Sequence, residues 1–411
     1  TSTGCMPSWT VDNLRIRLGD RAASTTRKTT QIVNIRRQQL LVMARGRGVL
    51  ALLGAGSVVG CLGVQSHSRP NADRVAPETI PTVDTGEPAV WPTATGAAAR
   101  TGRVDREIRS SPQAKIVGGV EERLLGTGWV ITTDQSVFWM QEDAKLVRKT
   151  DTESYRTDTR SFDRVTRVSP TVAGGLLAVH TNAGVEWLDP ATLETRGTVP
   201  TSLPHVGVLA DAQCIYVTGT DASVHAYDSG TGSYSWGVEV DRLVVGIASA
   251  DSTVYVTDAS AGGGSLIAVD SRDGTVVWQS PAAGETYHNP VVGTHLYLPN
   301  NDGTVYALDK ESGDTVWTYQ TETRGLVPPL SYCDGTVFLS DTLAGEVVAL
   351  DAKTGTQLWR TPVEPSEKRG DEPTGLSSPV STAKSVLVGA SRGGVTAFDR
   401  DTGNVRWQLP G

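Results

Sequence analysis

"ALDKESGDTVW", Ala307 to Trp317, decides the fold, because the chain carries the same phrase five times. The copies are "AYDSGTGSYSW" from Ala226, "AVDSRDGTVVW" from Ala268, "ALDKESGDTVW" from Ala307, "ALDAKTGTQLW" from Ala349 and "AFDRDTGNVRW" from Ala397. In each, Ala stands two residues before an Asp, Gly four after it and Trp eight after it. The sets are Asp228, Gly232 and Trp236; Asp270, Gly274 and Trp278; Asp309, Gly313 and Trp317; Asp351, Gly355 and Trp359; and Asp399, Gly403 and Trp407. Successive Asp residues are 42, 39, 42 and 48 residues apart.

The positions have physical meanings. Apolar and polar residues alternate into the Asp, as in "GTVYALD", and out again, as in "DTVWTY", which is the pattern of two half-buried strands joined by a tight turn. An Asp side chain caps such a turn by accepting backbone N–H groups two residues on, and Gly takes positive φ at little steric cost. Ala permits close approach, and a Trp, which buries about 150–250 Å², plugs the gap between neighbouring sheets. Two further extended runs precede each hairpin, for example "NPVVG" and "HLYLPN" before Ala307. Four strands at a period near forty predict an all-β chain folded as a β-propeller of four-stranded blades. Seven blades are expected, with six or eight also compatible. Two early units are degenerate: "GVEWLDPATLETRG" has Trp187, Leu193 and Gly197 where Ala, Gly and Trp are expected, and "SVFWMQEDAKLVRK" around Asp143 keeps only strand character.

Composition excludes other classes. A chain of 411 residues with 44 Gly, and with ten Trp and ten Tyr against four Phe, suits turn-rich β structure. Residues 61–411 carry 28 basic and 43 acidic groups, a net −15, which argues against a nucleic-acid partner. Lys is scarce, at eight residues, and an acidic, Lys-poor surface suits a high-salt habitat. Cys5, Cys61, Cys214 and Cys333 form no CxxC and the six His no HxxxH, so no metal site is expected.

The first ninety residues read separately. Residues 1–42 form an upstream extension expected to be disordered. Residues 43–61, "MARGRGVLALLGAGSVVGC", have a basic head, a short apolar middle and small residues before Cys61, the layout of an export signal. The ending Val58-Val59-Gly60-Cys61 resembles a lipobox, which makes Cys61 the expected lipidation site and the outer face of the cytoplasmic membrane, or the cell surface, the expected location. Arg36-Arg37 and Arg45-Gly46-Arg47 approach a twin-arginine motif, so the export route is open. Residues 62–88 read as a flexible tether and 89–411 as the propeller, with degenerate blades at 112–200 and clear repeats at 204–411.

The A-x-D-x-x-T-G-x-x-x-W repeat, with Thr-Gly present at 231–232, 354–355 and 402–403, resembles the pyrroloquinoline-quinone-like (PQQ-like) propeller repeat family. "WPTATGAAARTG", Trp91 to Gly102, is similar to the segment that precedes such arrays in exported lipoproteins. The resemblance implies one of two roles. Some members are quinoprotein dehydrogenases that hold PQQ and Ca²⁺ beside a vicinal Cys-Cys disulfide, a dipeptide this chain lacks. Others, like the propeller lipoprotein of outer-membrane β-barrel assembly, bind no cofactor and act as scaffolds. A non-enzymatic, lipid-anchored scaffold for an envelope or extracellular protein is expected, without cofactor, metal or catalytic residue; a PQQ- and calcium-dependent oxidoreductase is the alternative and a glycan-binding propeller comes third. The candidate ligand-facing residues lie in the connections between blades: Arg167, His205, Arg242, His288, Asn289 and Arg324. The longest connection, Pro362 to Pro379, is charged and Pro-rich and is expected to contact a partner.

Overall fold

The repeat unit is a sheet. In the computed structural model, which describes residues 89–91 and most of 130–409, every described element is a strand. The strands form seven antiparallel sheets, each a meander in which neighbours in sequence are neighbours in space: one five-stranded sheet followed by six four-stranded ones. The fifth sheet shows the pattern, with strands Val291–Val292, Leu296–Pro299, Thr304–Leu308 and Thr315–Gln320. The first strands of the second to seventh sheets lie against one another in chain order, so each fourth strand is an outer edge. This is the propeller architecture. The upstream extension, signal, Cys61, tether, Arg167 and residues 364–374 of the long connection lie outside the described residues.

Burial follows position. Second strands are buried on both faces, as in Cys214–Gly219, and read as continuous apolar runs; outer strands alternate, as in Thr315–Gln320, where Trp317 alone is fully inside. The cores lie between consecutive sheets. One joins Tyr216, Ala226 and Trp236 to Val254, Val256 and Ile267; the next joins Tyr255 and Ala268 to Leu296 and Leu308.

The repeated residues build one turn and one clasp. The carbonyl of Asp228 accepts the N–H of Gly232, and its Oδ1 accepts the N–H groups of Gly230 and Thr231 and the Thr231 hydroxyl. The Thr231 hydroxyl, then the backbone donors, hold the Asp228 carboxyl below its usual range; Thr354 does the same for Asp351. The five motif glycines have φ of 69° to 77°. The first four motif Trp residues reach the next sheet. The indoles of Trp236, Trp278, Trp317 and Trp359 donate to the carbonyls of Ser271, Lys310, Ala352 and Arg400, each one residue past the next sheet's turn Asp, at 2.8–3.1 Å. Their rings cover the next sheet's turn glycine so closely that a Cβ on Gly274, Gly313, Gly355 or Gly403 would lie 2.6–2.7 Å from a ring atom. The glycine is needed twice, for its φ and for the ring above it. Opposite every Trp stands the motif Ala, as Ala307 does to Trp317, followed by a bulge.

The degenerate units keep this plan by compensation. In the second sheet Trp187 pairs with Gly197, so the large and small partners have exchanged strands, and Leu193 takes the turn with φ 61°. Leu193 is buried at that turn, and Arg160 of the first sheet donates to its carbonyl at 2.6 Å and to Glu186 at 2.7 Å. Asp143 lies outside the described residues; the strands that flank it, Ser136–Met140 and Lys145–Thr150, stand one place further in than the repeat register predicts, because Thr157–Ser161 pairs outside Lys145–Thr150.

Candidate functional site

A meander has two ends, and they differ in what they leave available. At one end the Asp turns are tied to the turns between first and second strands: Ser229 N–H donates to the Gln213 carbonyl, Ser271 to Ser252, Ala352 to Gly335 and Arg400 to Lys384. That end carries the clasps. At the other end lie the connections between sheets, tied to the turns between second and third strands by Val240 to Ala222, Thr321 to Gly303 and Val363 to Gly345.

The described candidate residues fall into this second end, but not all as solvent-facing groups. His205 opens the strand His205–Ala210, where it pairs with Gly219, so it belongs to the sheet instead of the connection before it. His288 is buried, its carbonyl accepts the Thr257 hydroxyl at 3.1 Å, and Nε2 has no partner among the described residues. Burial pushes its pKa down to about 4, so it is neutral at neutral pH. Asn289 accepts the Ile247 N–H at 2.9 Å. His288 and Asn289 therefore seal the seam between the fourth and fifth sheets. Gly246 makes the seal possible: a Cβ there would lie 2.5 Å from the Thr257 hydroxyl and 2.6 Å from the His288 carbonyl. Arg242 and Arg324 are exposed; Arg242 Nη1 donates to the Gly263 carbonyl at 3.4 Å, and Arg324 holds a φ of 49° against Gly303. The two sit in different connections.

Two acids beside these connections escape sequence reasoning. Asp258 lies near the end of the second strand of the fourth sheet, Thr253–Ser260, Asp341 ends that of the sixth, Thr336–Asp341, and both are buried. Asp258 Oδ1 accepts the Ser265 N–H at 2.6 Å, and burial raises its pKa; the nearby charge of Arg242 opposes that rise. Asp341 Oδ1 accepts the Thr323 hydroxyl and so fastens the connection before the sixth sheet. The available signal is an Asp that follows an apolar run, in "VYVTD" and "VFLSD".

The described cysteines do not fit the vicinal pair of a quinone site. Cys214 and Cys333 are buried free thiols in the third and sixth sheets, lying 3.8 Å from the Ser271 carbonyl and 3.7 Å from the Thr382 carbonyl, and Arg400 Nη1 lies 3.2 Å from Cys333 Sγ. The turn Asp residues are engaged in capping. The arrangement offers exposed, varied connections on a rigid wall, which is chemistry for contact.

Residues 220–410 match the family described as outer membrane protein assembly factor BamB. The Burkholderia pseudomallei protein of that name is 30% identical over 216 residues, 49% of this chain and 54% of the relative. The dehydrogenase subunit of the quinone alcohol dehydrogenase of Acetobacter aceti is 31% identical over 138 residues, 29% of this chain and 18% of the relative. The crystal structure of BamB from Moraxella catarrhalis superposes with a TM-score of 0.54 at 18% identity, covering 68% of this chain and 84% of that one. The chain spans about half the length of the curated BamB relatives it matches. It carries a PQQ-like propeller that resembles BamB.

Proposed function

We propose that this protein is an exported, lipid-anchored propeller that acts without catalysis as a scaffold for another envelope protein. One observation carries the reading: at four successive seams the groups of the repeated motif work inside the wall. Asp caps its own turn, Gly lies under a ring, and Trp clasps the next sheet. What varies between repeats is the connections, and variable loops on a rigid wall are where recognition resides. The likeness to BamB supports a protein partner, and the lipobox-like end at Cys61 supports an anchor at the outer face of the membrane.

Photo-crosslinking tests it. A crosslinker at Arg242 or Arg324 should capture an envelope protein from intact cells, while one at Lys353, on the clasp end, should not; Cys61→Ser should move the protein out of the membrane fraction. Capture from Lys353 alone would refute the assignment of the face. The 31% likeness to a quinone dehydrogenase subunit favours one rival reading, an oxidoreductase. Saturable, calcium-dependent binding of PQQ, followed by Trp quenching, would establish it and displace the scaffold.

A further inference from the structure

Among the described residues seven outer strands pair on one side only, and an unpaired strand is a template for another chain unless charge or proline guards it. Five are guarded by charge: Thr157–Ser161 by Asp158 and Arg160, Thr195–Pro200 by Arg196, Tyr234–Glu239 by Glu239, Gln357–Pro362 by Arg360 and Val405–Leu409 by Arg406. Two carry no charged residue at all, Val276–Ala282 and Thr315–Gln320, and they belong to adjacent sheets, the fourth and fifth. Pro281 guards only the far end of the first.

These two edges also expose apolar side chains. Val276, Val277 and Val316 are 44%, 57% and 47% exposed, although each stands on a strand whose Trp is turned inward. β-branched residues on a free, uncharged edge fit a pleated partner. The surrounding charge adds a condition. Where the two strands begin, Asp273, Glu311 and Asp314 are exposed, while the neighbouring bases are taken: Arg272 by Asp270 at 3.1 Å and Lys310 by Asp251 at 3.0 Å.

We infer that the outer strands of the fourth and fifth sheets are a docking edge for an extended, uncharged, β-branched segment of the scaffolded partner, bearing a Lys or Arg at the end that meets Asp273, Glu311 and Asp314. This rests on the scaffold reading and supplies the kind of partner. The segment adds one antiparallel or parallel strand to an edge: backbone hydrogen bonds hold it, and its apolar side chains cover Val277 or Val316. A second copy of this chain fits less well: in parallel register it sets the same acids against one another, and in antiparallel register it brings Glu285 or Glu322, the first charged residue after each strand, toward them.

The test uses the full chain and a fluorescein-labelled nine-residue peptide of alternating Thr and Val with one terminal Lys. Anisotropy should show saturable binding, and hydrogen exchange should show new amide protection confined to 276–282 and 315–320. Val277→Lys with Val316→Lys should weaken binding about tenfold or more by guarding the edges. Both sites are exposed, so the fold should persist. Leu358→Lys, on an edge already carrying Arg360, should leave affinity unchanged, and neutralising Asp273, Glu311 and Asp314 to amides should remove its salt dependence. Absence of binding, equal loss with Leu358→Lys, or protection elsewhere overturns the inference. Self-association of the chain that the double Lys variant abolishes, without peptide binding, also overturns it and makes a second copy the occupant. If the peptide fails while Arg242 or Arg324 still crosslinks a partner, the edge falls and the scaffold stands.

Discussion

Gly355 and Gly335 both have positive φ, at 73° and 82°, yet the molecule should treat them differently. A Cβ on Gly355 would lie 2.7 Å from the Trp317 ring, while one on Gly335 would meet nothing within 4 Å. Gly335→Ala should therefore cost about 1 kcal/mol, the conformational penalty alone. Gly355→Ala should cost about 2–4 kcal/mol, because the ring must also move and its indole bond to Ala352 loosen. Urea unfolding of the two variants measures the difference, and equal losses would mean that the ring yields freely. The turn was legible in the sequence because its Asp and Gly act on each other within one repeat. The clasp was not, because Trp317 and Gly355 belong to different copies, and nothing in a single copy says which neighbour its Trp covers. Asp258 was missed for a related reason: it stands outside the phrase that repeats. Burial raises its pKa, so the folded state is penalised at a pH above that raised value and relieved as the pH falls. Asp258→Asn should raise the urea midpoint at pH 8, and the gain should shrink on acidification.

At the scale of the element, the second sheet read as decay and is an exchange. Ala and Trp face each other across the outer hairpin in five sheets; here Trp187 faces Gly197 on the same pair of positions. Trp187 is fully buried, so Trp187→Ala should cost about 3–5 kcal/mol. Gly197→Trp alone crowds the seam beside Trp187. The double variant restores the consensus order and should recover more than about 1 kcal/mol relative to the sum of the two losses. A thermodynamic cycle gives the coupling, and additive losses would show that the two positions do not share one space. The sequence could not display this, since pairing across strands is invisible to a linear alignment. Strands of the five clear copies were legible from alternation, whereas the first sheet's register was not, because no turn signal marks where its outer strand begins.

For the whole molecule, the seams between sheets set the response to acid, and two kinds of group act in different windows. His288 is buried between the fourth and fifth sheets with its pKa lowered from 6.5 to about 4. Below pH 6.5 the unfolded chain therefore binds a proton that the folded chain refuses, and stability falls with pH until about 4, by up to about 3 kcal/mol. The turn carboxyls of Asp228, Asp309 and Asp351 are held below 3.8, so the stability they contribute is complete above that value and is lost only as the pH falls through their lower folded pKa. The two losses should appear in sequence, one between about pH 6.5 and 4 and the other below. His288→Gln keeps a polar side chain at the seam without a titrating ring, and it should flatten the first loss while leaving the second. Urea midpoints from pH 8 to 3 decide the matter. A wild-type curve flat down to pH 4 would mean that the seam opens to hydrate His288, and the rigidity on which both the connections and the unguarded edges depend would then be least at the joint between the fourth and fifth sheets.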